Sequence, residues 1–363
     1  MADPHQNRID ILDYARFCAA FLVMGFHYFF LGVKENMPGI GFSKGWSDVF
    51  QFGHAGVSLF FMISGYVIFF SSKGRTAAQF VSARVLRLYP VFLVALIGTT
   101  LALNLYGTLS EAIRPLQFLQ NLTMLPTYFG GAFVDGSYWT LRLEICFYAL
   151  IFVIILIGAS AHLERFFLMW PIIILISQIT PFGMNALLSC YSAYFAAGAL
   201  FAMRRSNNSW LIKILLVLCY FESLYWSSIL SHPLDTGNKV MLVLISSFYI
   251  FFVFMNSYSI LCMRLPGAQL VGAITYPLYL IHQAVGYLVI RTFATPSNKV
   301  AITLGTMGAM VLVAYLLHRI IEIKAKPVSK RLINVLVAVP IAFLEKIIRS
   351  TIITSVDKAY KLR

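Results

Sequence analysis

Residues 9–31 read IDILDYARFCAAFLVMGFHYFFL. The run is long enough, at 1.5 Å per residue, to cross the roughly 30 Å of a bilayer's hydrocarbon as one helix. Past Asp10 at its edge, Asp13, Arg16 and His27 interrupt it. At 100° per residue His27 lies about 20° from Arg16, and Asp13 about 40° to the other side, so the three form one stripe. A stripe of charge on an otherwise apolar helix turns away from lipid and towards other protein.

The rest of the chain repeats this pattern. Of 363 residues, 60% are hydrophobic and only 12% charged, about half the charged share of a soluble domain. Further apolar runs fall at about 55–72, 86–106, 137–158, 166–181, 186–203, 210–230, 239–257, 269–291 and 299–321. The expected fold is therefore all-α: a polytopic integral membrane helical bundle of about ten transmembrane helices. The run at 115–126 is shorter and suits an interfacial or re-entrant piece. The run at 332–348 is flanked by Lys330, Arg331, Lys346 and Arg349, as in a helix lying on the membrane and gripping anionic lipid. An eleventh span is the alternative. The division is thus a membrane domain over 1–325 and a basic cytoplasmic tail over 326–363.

Net charge is +14. With the N-terminus in the cytoplasm, the inner segments carry twenty Lys and Arg and the outer loops six. This positive-inside bias puts both termini in the cytoplasm. The basic residues sit in short loops and in the tail, without the aromatic-interleaved patch of a nucleic-acid binder, so no nucleic-acid partner is expected. Cys18, Cys146, Cys190, Cys219 and Cys262 lie in apolar runs without metal-ligand spacing, which predicts buried packing residues and no metal site. The first run lacks a cleavage site and reads as a retained helix. Gly56, Gly65 and Gly198 could pack helices within one chain or between copies in a homo-oligomer.

Helical rise places His27 about 27 Å from the inner end of its helix. The fourth run descends from the outside, so Glu144 lies about 10 Å below the outer surface, at a similar depth. A carboxylate and an imidazole at one depth can form a dyad in which the acid orients the ring. His282 falls near mid-membrane. Arg84 and Arg87, at i and i+3, share a face at the inner end of the third run and suit phosphate. Each feature has a plain alternative: an Asp13–Arg16 pair that stabilises a helix end, a packing histidine, an ordinary positive flank.

Four segments together resemble the acyltransferase-3 family of bacterial membrane O-acyltransferases. They are LDYARFCAAFLVMGFH at 12–27, GVSLFFMISGYVI at 56–68, FVSARVLRLYP at 80–90 and YWTLRLEICFY at 138–148. FLQNLTML at 118–125, YPLYLIHQ at 276–283 and the segment around Glu322 are weaker matches in the same order. Ser58 stands where the family commonly has Asp, Thr140 replaces a usual Ser, and Arg142 adds a charge that suggests a different acceptor.

The resemblance implies an O-acetyltransferase of the bacterial inner membrane. It would move an acyl group, usually acetyl, from cytoplasmic acyl-CoA to a hydroxyl of a glycan or glycolipid. Carried onto this chain, His27 and Glu144 would be catalytic. Arg84 and Arg87, with Asp13 and Arg16, would bind the CoA donor. Trp139, Arg142 and His282 would meet the acceptor. The depth of His27 then requires either that the pantetheine arm thread into the bundle or that the acyl group be relayed; threading is favoured because no well-placed nucleophile is evident. A secondary transporter or flippase is the rival reading; such proteins usually gather charge at one midplane site, often with an internal repeat, and no repeat is visible here.

Overall fold

The computed structural model describes residues 8–35, 41–42, 44–179, 190–231 and 238–361. Among these there are helices and turns and no strand. The principal helices are α1 Asp10–Phe26, α2 Ala55–Ser72, α3 Ala77–Tyr106, α4 Trp139–Leu156, α5 Leu163–Ile179 and α6 Ser192–Met203. They continue with α7 Trp210–Ser231, α8 Asn238–Met255, α9 Ala268–Ile281, α10 Gln283–Phe293, α11 Lys299–Leu317 and α12 Val339–Lys361.

Among the described residues seven helical stretches are long and apolar enough to cross a membrane, and α9 with α10 makes an eighth, bent by 66°. Ser192–Met203 and Lys239–Met255 are apolar but shorter. These ten correspond to the ten expected runs. Two details differ. The run at 269–291 is a broken span, interrupted at His282, and the runs at 166–181 and 186–203 extend into 180–189, which lie outside the described residues.

The third helix begins nine residues before its expected start. Thr76 and Gln79 form a capping box: the Thr76 hydroxyl accepts from the Gln79 N–H, and the Gln79 side chain accepts from the Thr76 N–H. That arrangement satisfies donors that a helix start leaves free. The resulting 30-residue helix is about 45 Å long, and Arg84 and Arg87 lie two to three turns inside it. Residues 115–126 form the short helix Pro115–Asn121 and a turn. The Asn121 side chain donates to Ala132 O and accepts from Val134 N–H, which closes the connection onto itself.

Close packing depends on small residues at crossings. A Cβ on Gly65 would strike the Phe195 backbone, one on Gly198 the Met62 carbonyl, and one on Gly56 the Ala19 carbonyl. These three glycines thus pack α2 against α6 and α1 within one chain. The apolar centre is continuous through buried residues such as Met24, Tyr66, Phe92, Ile151 and Phe201.

The tail is helical from Lys326, through a π-helical segment Asn334–Ala338, into α12. It packs by one side on the start of α3. Glu345 accepts from the Ala77 N–H at 3.0 Å and from Arg349 at 2.6 Å, so a tail carboxylate caps the helix that carries Arg84 and Arg87. Val335, Leu336, Val339 and Phe343 remain exposed on this helix, and it is not among the stretches long and apolar enough to span.

A second ion pair closes the 107–114 connection. Arg291 donates to both oxygens of Glu111 at 2.8 Å and holds that carboxyl down at about 2. The folded value lies below the ordinary one, so the contribution is complete above the unfolded carboxyl range and is lost as pH falls through about 2.

Two outcomes follow from the packing. Gly198→Val forces backbone apart at the α2–α6 crossing and should cost about 1–3 kcal/mol, read as a fall of several degrees in the thermal unfolding midpoint in detergent. Glu111→Gln, at a pair about one-third exposed, should change stability by less than about 1 kcal/mol yet speed amide exchange over Thr108–Glu111 at neutral pH.

Candidate functional site

α1 does not end regularly. At His27 it widens into a π-helical turn, His27–Leu31, the kind of bulge often found where a side chain must be re-aimed. Its counterpart is the break between α9 and α10, where Pro277 removes one backbone donor from the helix. His282 sits at that break, 1% exposed, and His27 is 8% exposed.

The two rings meet with His27 Nδ1 2.8 Å from His282 Nε2. His282 Nδ1 lies 2.7 Å from the Tyr279 carbonyl oxygen. A carbonyl has no proton to give, so His282 Nδ1 carries the hydrogen and Nε2 accepts. His27 Nδ1 must then be the donor, which leaves the lone pair of His27 Nε2 free. A neutral imidazole with one nitrogen held and the other open is the form a general base needs.

The groups freed by the break are satisfied by side chains. The His282 ring takes the Tyr279 carbonyl and Asp135 accepts from the Ala284 N–H at 2.8 Å, while Tyr28 donates at 2.5 Å to the His282 carbonyl, which also accepts from the Gly286 N–H at 3.2 Å. Tyr28 can lie there because residue 286 is glycine: a Cβ at that position would occupy the place of the Tyr28 hydroxyl.

Beside the histidine pair is a chamber of about 70 Å³, lined by Arg16, Ser64, Arg87, Thr140, Glu144, Tyr276 and Tyr279 among others. Tyr279 forms its wall towards the pair, and the Thr140 hydroxyl donates to the Tyr279 hydroxyl at 3.0 Å. Glu144 accepts from the Tyr148 hydroxyl and, at 3.3 Å, from Ser64. A larger cavity of about 500 Å³ opens at the N-terminal end of α1 and is lined by Asp13, Arg16, Arg87, His318, Glu322 and Lys326, among others. Arg16, Arg87, Gly272 and Tyr276 line both spaces. Gly272 lies against the Asp13 carboxylate, where a Cβ would clash. Asp13 holds Arg8 at 2.7 Å and Arg16 at 3.7 Å. His318 and Glu322 pair at 2.6 Å on the rim.

The residues selected from sequence divide into three groups. Asp13, Arg16, Arg87 and Glu144 come together along the two cavities. His27 and His282 come together at the break. Arg84, Arg142 and Trp139 line neither cavity. Arg84 is enclosed between the rings of Phe80 and Tyr148, 6.0 and 5.7 Å from their centroids, with two guanidinium nitrogens unpartnered. Arg142 reaches Thr127 at 3.4 Å, and Trp139 packs on Tyr191.

Two expectations are corrected. The imidazole of His27 is paired with His282 and not with Glu144, whose partners are Tyr148 and Ser64. Arg84 and Arg87 do not act on one face: three residues turn a helix by about 300°, and the remaining 60° sends one guanidinium into the cavity and the other between aromatic rings. Depth along separate straight helices could not reveal either fact. Asp135, Tyr279, Thr140 and Gly272 were not selected from sequence as site residues. The Asp135-Gly-Ser137 step before α4 was the available signal for the first.

The acyltransferase domain family, acyltransferase-3, matches residues 9–319. Nodulation protein 10 of Rhizobium leguminosarum bv. viciae is 26% identical over 164 residues, which cover 40% of this chain and 42% of that protein. The chain thus spans less than half the length of this curated relative. No solved structure matches. With its set of apolar helices and a match over most of its length, the chain belongs to the acyltransferase-3 family and has the architecture of a multi-pass membrane protein.

Proposed function

We propose that this protein is a membrane O-acyltransferase that moves an acyl group, acetyl in the first instance, from cytoplasmic acyl-CoA to a hydroxyl of an envelope glycan in the bacterial inner membrane. The observation that carries this reading is the pair of adjoining cavities. The wide one opens among Arg8, Arg16, Arg87 and Lys326, and the narrow one ends at Tyr279, whose carbonyl is bonded to His282. A donor with a phosphorylated head and a thin thioester arm matches a basic mouth that narrows inward. The positive-inside bias turns this mouth to the cytoplasm.

The chemistry is direct transfer. His27 Nε2 takes the proton of the acceptor hydroxyl as its oxygen attacks the thioester carbonyl carbon. The oxygen–carbon bond forms, the carbon–sulfur bond breaks, and the proton passes from His27 to the departing thiolate. Arg16 and Arg87 hold the donor's phosphates or the start of its arm. Glu144, bonded to Tyr148 and Ser64, orders the chamber wall and balances the two arginines.

Acetyl-CoA binding to the full-length protein in detergent, measured by calorimetry, should weaken about 10–100-fold in Arg87→Ala, the loss of a charged hydrogen bond, and less in Arg84→Ala. No binding of any acyl-CoA by folded wild-type protein would sink the reading. His27→Ala should lower turnover by about 10²–10⁴-fold while donor affinity stays within about twofold. Incubation with acetyl-CoA alone should leave the protein mass unchanged; a covalent acetyl-enzyme would replace direct transfer by a relayed one.

A further inference from the structure

Asp135 is 0% exposed and has no part in the transfer as derived so far. Its Oδ1 accepts from the Ser137 N–H at 2.8 Å and from the Ser137 hydroxyl at 2.6 Å, and its Oδ2 accepts from the Ala284 N–H at 2.8 Å. Two backbone N–H donors and one hydroxyl face the carboxylate, a set that suits an ionised acid. It lies where two helix starts converge: the turn Gly136–Tyr138 that leads into α4, and the first turn of α10. Both present positive backbone ends to it.

The Ala284 N–H belongs to the second residue after His282. The bond therefore anchors the backbone at the break that aims the His282 ring at His27, and Asp135 and His282 are in electrostatic contact. In a water-poor interior a charge at such a position acts strongly on its neighbours.

We propose that Asp135 is a positioning residue for acyl transfer: it fixes His282 at the α9–α10 break and supplies the negative charge against which the His27–His282 pair holds the proton taken from the acceptor. This rests on the reading of His27 as base. When His27 Nε2 receives the proton, the pair carries one positive charge, with the Nδ1 hydrogen shared towards His282 Nε2. Asp135 keeps its own hydrogen bonds and takes up no proton. The charge returns to zero when His27 gives the proton to the thiolate. Buried carboxylates that orient and stabilise an imidazolium without accepting its proton work in the same way in other enzymes.

The titratable side chains packed around the pair are Tyr28 from the π turn, His54 across Phe26, Tyr279 from α9, Tyr287 from α10, and Asp135. Asp135 is the carboxylate among them, so it is the one whose neutralisation should move the titration of the pair.

The test is ¹⁵N-histidine NMR titration of the full-length protein in detergent, with the pair among its seven histidines assigned from His27→Gln and His282→Gln. The pH dependence of turnover with acetyl-CoA is followed in parallel. Asp135→Asn removes the charge, so the pair should protonate about one pH unit lower, the acid limb of turnover should move down with it, and turnover should fall about 100-fold with the donor KM unchanged. Ser137→Ala removes one donor from the carboxylate and concentrates its charge, so it should move the pair the other way, to higher pH. This second variant stands if Asp135→Asn does not fold. Ala284→Pro removes the backbone hydrogen bond but keeps the charge, in the first turn of α10; it should lower turnover with a much smaller shift of the limb. A titration that does not move in Asp135→Asn and Ser137→Ala, or a loss of rate with an unmoved limb, would overturn the proposal and leave Asp135 a structural cap. Wild-type protein inactive on every acyl-CoA would instead count against the acyltransferase reaction, with the titration still readable.

Discussion

A helix broken inside a bilayer exposes backbone groups to a medium that cannot hydrogen-bond them, so a break persists only where side chains take the place of water. The interruption at His282 meets that requirement with three partners from three places in the chain. The His282 ring takes the Tyr279 carbonyl, Asp135 takes the Ala284 N–H, and Tyr28 adds a second donor to the His282 carbonyl beside the Gly286 N–H. Much of this end of the site is arranged around this exchange. Gly286 is small to admit Tyr28, and the π turn at His27 brings its ring to the one nitrogen of His282 that is left to accept.

The other end of the path is governed by charge. Arg8 and Arg16 share Asp13, and Arg16 and Arg87 line the narrow chamber together with Glu144. Buried arginines without carboxylates would be costly. Arginines wholly neutralised by them would have nothing to offer a phosphate. One Arg16 nitrogen remains buried without a hydrogen bond, which is a donor waiting in the wall between mouth and chamber. Gly272 sets how closely α9 approaches Asp13, and so how narrow the passage becomes.

Between these ends runs α3, packed in the core along Leu88, Val91, Phe92 and Leu96 and also tied at its start. Its capping box is built from local sequence, but its first free N–H is taken by Glu345 from the far end of the chain. The helix that directs Arg87 into the mouth is thereby tied to the tail, whose other faces stay apolar and open. That exposure suits the membrane-surface helix expected from its basic flanks.

The all-helical, multi-pass architecture was legible in the chain alone, because the length and apolarity of a run are properties of consecutive residues and a bilayer tests each run separately. His27, Arg16, Asp13, Arg87 and Glu144 were recognisable for the same reason: an ionisable residue in an apolar run is conspicuous wherever the run is placed. Even the early start of α3 was written locally, in Thr76 and Gln79. Which of these residues meet was decided by tertiary structure. Glu144 belongs to Tyr148 and Ser64, His27 to His282, and Arg84 to two aromatic rings, because helix tilt, a π turn and a 66° bend set the azimuth and depth of each side chain. Asp135 shows the limit most plainly: in sequence it is an ordinary turn residue, and it becomes the partner of the His282 break only when Ala284, 149 positions away, is folded against it.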